Sequence, residues 1–162
     1  MIAFLLAAAV AAAPAGDPAL RDLAGLEGCW SAAGEVRGKV TRNRLRGAWR
    51  LNGKYMMISL TSTDDKDPYQ ADVPIGGGDK PGDLSSFWMD STGGAYSTGG
   101  KGRLEPDGFT ITYHYPDGDY VNVWRHAGKG WTWTITEVKP GQPGKAFARY
   151  DLQSSGCSIR DR

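Results

Sequence analysis

Two cysteines, Cys29 and Cys157, stand near opposite ends of a 162-residue chain. Thiols in an oxidising compartment most simply pair. A pair so distant in sequence forces the first and last elements side by side, which is the signature of a closed architecture. Closing that loop is worth about 4–5 kcal/mol in the chain-entropy account. The alternative, two free buried thiols, leaves the ends unconnected.

The compartment is read from the leader. Ile2 to Val10 is an apolar run, followed by Ala11-Ala12-Ala13-Pro14-Ala15. Small residues at the −3 and −1 positions before Gly16 match a signal-peptide cleavage site. The run is too short to span a bilayer. No Lys or Arg precedes it, so the usual basic n-region is missing, and the rival reading is a buried N-terminal helix. Cys29 is a poor lipoprotein site, because it lies well beyond the apolar run and Leu26-Glu27-Gly28 stands where a small-residue lipobox belongs. Residues 1–15 are therefore expected to be a signal peptide and 16–162 a single domain, periplasmic or secreted and without a transmembrane anchor. Nineteen basic and eighteen acidic side chains nearly cancel, which gives no support for nucleic acid as a partner.

Along residues 16–162 the apolar pattern has period two, and turn signals recur about every ten residues. One helical segment is expected, Asp17 to Leu26, with Asp17 as cap, Pro18 in the first turn and Leu20, Leu23 and Leu26 on one face. Strands are expected near 27–33, 38–46, 54–62, 69–76, 84–90, 95–104, 109–115, 120–126, 131–138 and 146–152. Glu105-Pro106-Asp107-Gly108, Pro116-Asp117-Gly118-Asp119 and Ala127-Gly128-Lys129-Gly130 read as tight hairpins. Strand after strand joined this way is an antiparallel meander, and a meander of about eight to ten strands closes into a barrel to remove its edges. The 23 glycines fit sharp curvature, with flexible or disordered stretches expected only at 64–67 and 76–82.

These residues resemble a known pattern. Gly28-Cys29-Trp30 on the first strand, a meandering barrel, and Arg149 in Phe147-Ala148-Arg149-Tyr150 resemble the calycin pattern shared by lipocalins and their relatives. More specifically, the chain is similar to a family of secreted bacterial domains of unknown function with a lipocalin-like fold. The similarity runs in order through Leu26-Glu27-Gly28-Cys29-Trp30, Leu51-Asn52-Gly53-Lys54-Tyr55-Met56, Phe87-Trp88-Met89-Asp90-Ser91 and Ala148-Arg149-Tyr150. It implies an all-β, lipocalin-like barrel with a ligand cavity and names no ligand. It also implies that Trp30 and Arg149 close one end of the barrel by a guanidinium stacked on an indole, worth about 0.5–2 kcal/mol. Arg125 is the alternative partner.

For chemistry, His114 and His126 lie on successive strands. Haem held by a single histidine occurs in calycin-like barrels, so the resemblance makes His126 a candidate ligand. The alternation instead puts His114 on a polar face with Thr110 and Thr112, and both histidines read as surface residues with no cofactor expected. No H-x-x-x-H or C-x-x-C spacing indicates a metal. Ser91 follows Asp90 without a nucleophile elbow, and Asp90 with Glu137 is a carboxylate pair of unknown separation. Gly76-Gly77-Gly78-Asp79-Lys80 lacks the remainder of a phosphate loop, and Asp64-Asp65-Lys66-Asp67 lacks the glycine and distal glutamate of a calcium loop. Arg37, Lys39, Arg42, Arg44, Arg46 and Arg50 form one basic cluster, read as a solvated face or a surface for anions.

The aromatic pattern points inward. Phe109, Ile111, Tyr113 and Tyr115 share one strand face, and Trp131, Trp133 and Ile135 another. In a small barrel the apolar face is the inner one. The expected lining of a ligand cavity is Met57, Phe87, Met89, Tyr113, Arg125, Trp131 and Trp133, with Trp88 on the opposite side of its strand from Phe87 and Met89; a barrel plugged by these same bulky residues is the competing expectation. The leading reading is a monomeric binding protein for a small apolar or amphipathic molecule. An envelope interaction or inhibitor module using the barrel loops, such as 72–83, comes second, and a small-molecule hydrolase or isomerase third.

Overall fold

The computed structural model describes residues 16–63 and 68–157. The expected signal peptide, and the Asp64–Asp67 segment weighed for calcium, lie outside the described residues. Ten antiparallel strands form one closed barrel: β1 (Gly28–Val36), β2 (Lys39–Arg50), β3 (Tyr55–Ser62), β4 (Gln70–Gly77), β5 (Asp83–Asp90), β6 (Thr98–Glu105), β7 (Gly108–Tyr115), β8 (Gly118–Ala127), β9 (Gly130–Val138) and β10 (Lys145–Ser155). Each strand pairs with its neighbours in sequence, and β1 pairs with β10 to close the ring, Cys29 opposite Ser155. The Cys29–Cys157 disulfide fastens that seam, with Cα atoms 5.2 Å apart across 128 residues of sequence, inside the range a disulfide spans without moving backbone.

The N-terminal helical segment, Pro18–Leu26, is built of 3₁₀ turns with a kink at Leu20, whose backbone is non-helical. The reason is in its spacing. Leu20, Leu23 and Leu26 recur every three residues, and a helix of three residues per turn eclipses them on one face. All three are buried, and they seal one end of the barrel. The helix carbonyls there are taken by tryptophans: Trp30 Nε1 donates to Leu26 O at 3.0 Å and Trp131 Nε1 to Gly25 O at 3.1 Å. Gly47 permits this approach, since a Cβ at that position would meet the Leu26 carbonyl. Asp17 caps the helix through Ala19 N and pairs with Lys54 at 2.8 Å. This end of the barrel is closed.

The strand ends that meet at the other end carry a half-buried aromatic rim, Tyr69, Trp88, Tyr115, Tyr120 and Phe147. Between the two ends the interior is filled from all ten strands. On β6 the inward positions are glycines for a reason of space: a Cβ on Gly100 would lie 2.6 Å from the Tyr113 ring. Gly76 and Gly77, expected within a flexible segment, belong to β4. The turn after them is closed by Gly78 N to Asp83 O at 2.7 Å and Asp83 N to Lys80 O at 3.0 Å.

Candidate functional site

The strand registers place Phe109 opposite Trp124, Trp124 opposite Trp133, and Trp133 opposite Tyr150. Their rings form one ladder across β7 to β10, with centroids 5.5, 4.6 and 4.8 Å apart and planes within 12°, 12° and 26°. Such pairs contribute about 0.5–1.5 kcal/mol each beyond their burial, so this wall of the barrel is held by ring contacts as well as by burial. The facing wall, Ile58 and Leu60 of β3 with Ala71, Val73 and Ile75 of β4, is aliphatic.

Between the walls lies a cavity of about 10 Å³, lined also by Trp88, Ile111, Tyr113 and Asn122. That is room for about one water. The interior is therefore nearly plugged, and Trp88 is the part of its lining that belongs to the rim. The Trp88 indole reaches inward from β5 to lie 5.5 Å from Tyr113 and 6.2 Å from Trp133. Its Nε1 donates to Asp90 Oδ2 at 3.0 Å, and the Tyr69 hydroxyl donates to the same oxygen at 2.8 Å. Asp90 also accepts from Thr92 N at 2.9 Å and from the Thr92 hydroxyl. Burial pushes the Asp90 carboxyl up, but bonds from Thr92, Tyr69 and Trp88 outweigh it and hold the pKa below the usual range. Burial, then the Asp90 charge, push the Tyr115 phenol up to about 12. The rim continues edge to face through Tyr115, Tyr120 and Phe147, with the Arg37 guanidinium 5.0 Å above the Phe147 ring.

Buried polar side chains among the described residues are all neutral: Asn43, Ser62, Ser86 and Asn122. Ser86 donates to Pro74 O and shares a 2.8 Å bond with the Tyr113 hydroxyl. Asn122 accepts from Trp133 Nε1 at 2.9 Å and donates to Tyr120 O at 3.1 Å.

Among the residues expected to line a cavity, Tyr113 and Trp133 border the one described, whereas Trp131 is buried beside the sealed end. The others are corrected. Met57 points outward because Met56, Ile58 and Leu60 take the inner positions of β3. Phe87 and Met89 are exposed at 42% and 37%, since Leu84, Ser86 and Trp88 face in; Trp88 is indeed opposite them, but on the inner side. Arg125 lies on the outer face, bonded to Glu105 and 3.4 Å from Asp107. The implied stack of Arg149 on Trp30 does not form. Ala148, Tyr150 and Leu152 take the inner face of β10, so Arg149 turns out toward Asp151 at 3.7 Å, and Trp30 closes its end by binding the helix instead.

His126 is exposed and lays its ring 3.8 Å from that of Trp131 at the sealed end, while His114 pairs with Asp119 on the outer surface at 2.7 Å. Asp90 is engaged at the rim and Glu137 with Lys139 at 3.1 Å, so each carboxylate weighed for acid–base work has its own partners. Sequence reasoning missed Trp88, Tyr69 and Asn43 as interior or rim groups. The register of Trp88 with Leu84 and Ser86 was the available signal.

No protein-family model matches the chain, and no curated protein matches it. Among solved structures, the crystal structure of Rv2717c from M. tuberculosis is similar, with a TM-score of 0.67 over 86% of this chain and 99% of that one, at 14% identity. At that identity the likeness shows a shared fold.

Proposed function

We propose that this chain is a binding protein for a small, partly apolar molecule that enters the barrel past Trp88, in the manner of a lipocalin-like carrier, and that it works as a monomer in the periplasm or outside the cell. The observation carrying this reading is the position of the small apolar cavity directly against Trp88, at the end of the barrel that the N-terminal helix leaves open. A site for a drug-sized ligand needs about 300–1,000 Å³, so the form described here is a closed one and binding draws on a conformer with Trp88 swung out. Trp88 suits that role, being half-buried and held at its indole nitrogen by Asp90 alone. The disulfide supports an oxidising compartment, and no helix among the described residues is long and apolar enough to cross a membrane.

The test is a titration with N-phenyl-1-naphthylamine, an apolar fluorophore. Trp88→Ala is expected to bind it about tenfold or more tightly than the wild type, because the variant removes the population cost of opening. If neither protein binds, the reading falls. The second reading, an interaction module, is favoured by a groove of about 420 Å³ beside the sealed end, between Asp17, Lys54, Tyr55 and the Gly77–Asp83 turn.

A further inference from the structure

The outer wall of the barrel is not uniform. On β7 and β9 outward positions are taken by threonines, Thr110 and Thr112 on the first and Thr132, Thr134 and Thr136 on the second, which meet the β preference of a solvated face without exposing a large apolar group. On the other side of the ring the choice is different. Among the described residues, every exposed large apolar side chain except Tyr96 lies on the outer face of β2, β3 or β5 or on the turn joining β2 to β3: Val40, Leu51, Tyr55, Phe87 and Met89. Strand pairing sets Ala48 opposite Met57 and Met57 opposite Pro74, and places Phe87 opposite Gly99. A Cβ at Gly99 would meet nothing within 4 Å, and its φ is not positive, so the backbone does not demand glycine there. With no side chain at that position, Phe87 is left uncovered toward β6.

The same wall carries the basic cluster. Arg42, Arg44, Arg46 and Arg50 stand on the outer face of β2, and Lys101 and Arg103 on that of β6, so cations flank the apolar group on both sides. The carboxylates between them are engaged: Asp72 accepts from the Ser59 hydroxyl at 2.6 Å, and Asp83 pairs with Arg103 at 3.6 Å. Arg44, Arg46, Arg50 and Lys101 enter no ion pair among the described residues. An apolar centre with cationic flanks complements a surface that is anionic outside and apolar beneath, since arginine takes phosphate through two hydrogen bonds and interfacial binding adds buried apolar area to charge attraction. A second copy fits poorly, because a two-fold interface sets the same patch against itself, arginine against arginine. We propose that the β2–β6 wall docks on an anionic phospholipid surface, with Tyr55, Phe87 and Met89 entering the headgroup layer and the flanking Arg44, Arg46, Arg50 and Lys101 holding lipid phosphates. A fluid lipid surface accommodates the convex wall of a barrel. Docking of this kind stands whether or not the interior binds a ligand.

The experiment is co-sedimentation of the disulfide-bonded protein with sucrose-loaded vesicles, made of phosphatidylcholine alone or of phosphatidylglycerol and phosphatidylcholine in equal parts. Binding is expected to favour the anionic vesicles by about a hundredfold at low salt, each basic side chain near the surface giving about fivefold, and to weaken as salt is added. Replacing Arg44 and Arg46 together by serine should lower that affinity about twentyfold. The matched pair Lys129→Ser and Arg149→Ser removes the same charge from the β8–β9 turn and from β10, and should leave it within about twofold. Phe87→Thr with Met89→Thr should weaken binding about tenfold while leaving Tm nearly unchanged, since both positions are exposed. Equal binding to the two kinds of vesicle, or binding to neither, overturns the proposal and leaves a protein surface as the occupant. Equal losses in the two charge pairs overturn it as well, because the attraction would then belong to net charge and not to this wall. So does unchanged binding in the Phe87 and Met89 variant, which would remove the apolar contact. A concentration-dependent dimer that Phe87→Thr dissociates would assign the wall to a second copy instead.

Discussion

The two ends of the barrel use the same residue type to opposite effect. At the sealed end, Trp30 and Trp131 donate to backbone carbonyls of the 3₁₀ helix, acceptors that do not titrate and have no rotamers, and both rings are buried. At the open end, Trp88 donates to the carboxylate of Asp90, which Tyr69 and Thr92 share. One tryptophan arrangement satisfies helix carbonyls left over at a terminus and is fixed with the fold. The other hangs on a side chain that protonation can alter. The contrast separates an end tied to backbone carbonyls from an end tied to an ionisable side chain.

The largest expected effect lies at the sealed end. Replacing both cysteines by serine should cost about 4 kcal/mol, as the β1–β10 seam loses its crosslink, measured by denaturant unfolding under matched redox conditions. A loss under about 1 kcal/mol would mean that the helix and the strand ladder hold that end unaided. Next, Leu23→Ala should cost about 3 kcal/mol, because Leu23 is wholly buried in the plug. Trp88→Ala, at the open end, should cost about 2 kcal/mol despite deleting a larger side chain, since that ring is only half-buried. If Trp88→Ala proves the costlier, the open end is core and the comparison fails.

The smallest effect is with pH. Asp90 has its pKa lowered in the fold from 3.8. Its contribution is therefore present above that unfolded value and is lost as pH falls through the lower folded one. Tryptophan emission from the rim should shift in that acid range before global unfolding, and Asp90→Asn, which keeps an acceptor oxygen, should abolish the shift. An unchanged acid transition in Asp90→Asn would show that the latch on Trp88 does not depend on the carboxylate charge.

Much of the fold was legible in the sequence because period-two patterning and turn chemistry are local. Pro106-Asp107-Gly108 and Pro116-Asp117-Gly118 mark hairpins wherever they occur, and all ten expected strands stand within a few residues of their observed positions. The largest shifts have local causes too: β2 runs on to Arg50 before the positive-φ turn at Leu51, Asn52 and Gly53, and Gly94–Tyr96 forms a short 3₁₀ turn ahead of β6. The site was less legible. Phe87-Trp88-Met89 is apolar at three consecutive positions, and Met56-Met57 at two, so these runs by themselves assign neither parity, and the sequence cue for Trp88 is its even spacing from Leu84. For Trp88 it was settled by pairing, Ser86 opposite Ile75 and Gly100, with the glycine leaving room inside.

By itself, then, the amino-acid order determined the element types and the meander, because each follows from near neighbours, and it left Cys29 and Cys157 either free or paired with each other. Tertiary structure alone decided that Arg149 turns outward and Trp88 inward, that the barrel is nearly filled, and that Asn43 and Asn122 are buried in it. The physical reason is closure. Whether a side chain has room, or a polar group a partner, depends on what nine other strands bring to the same interior.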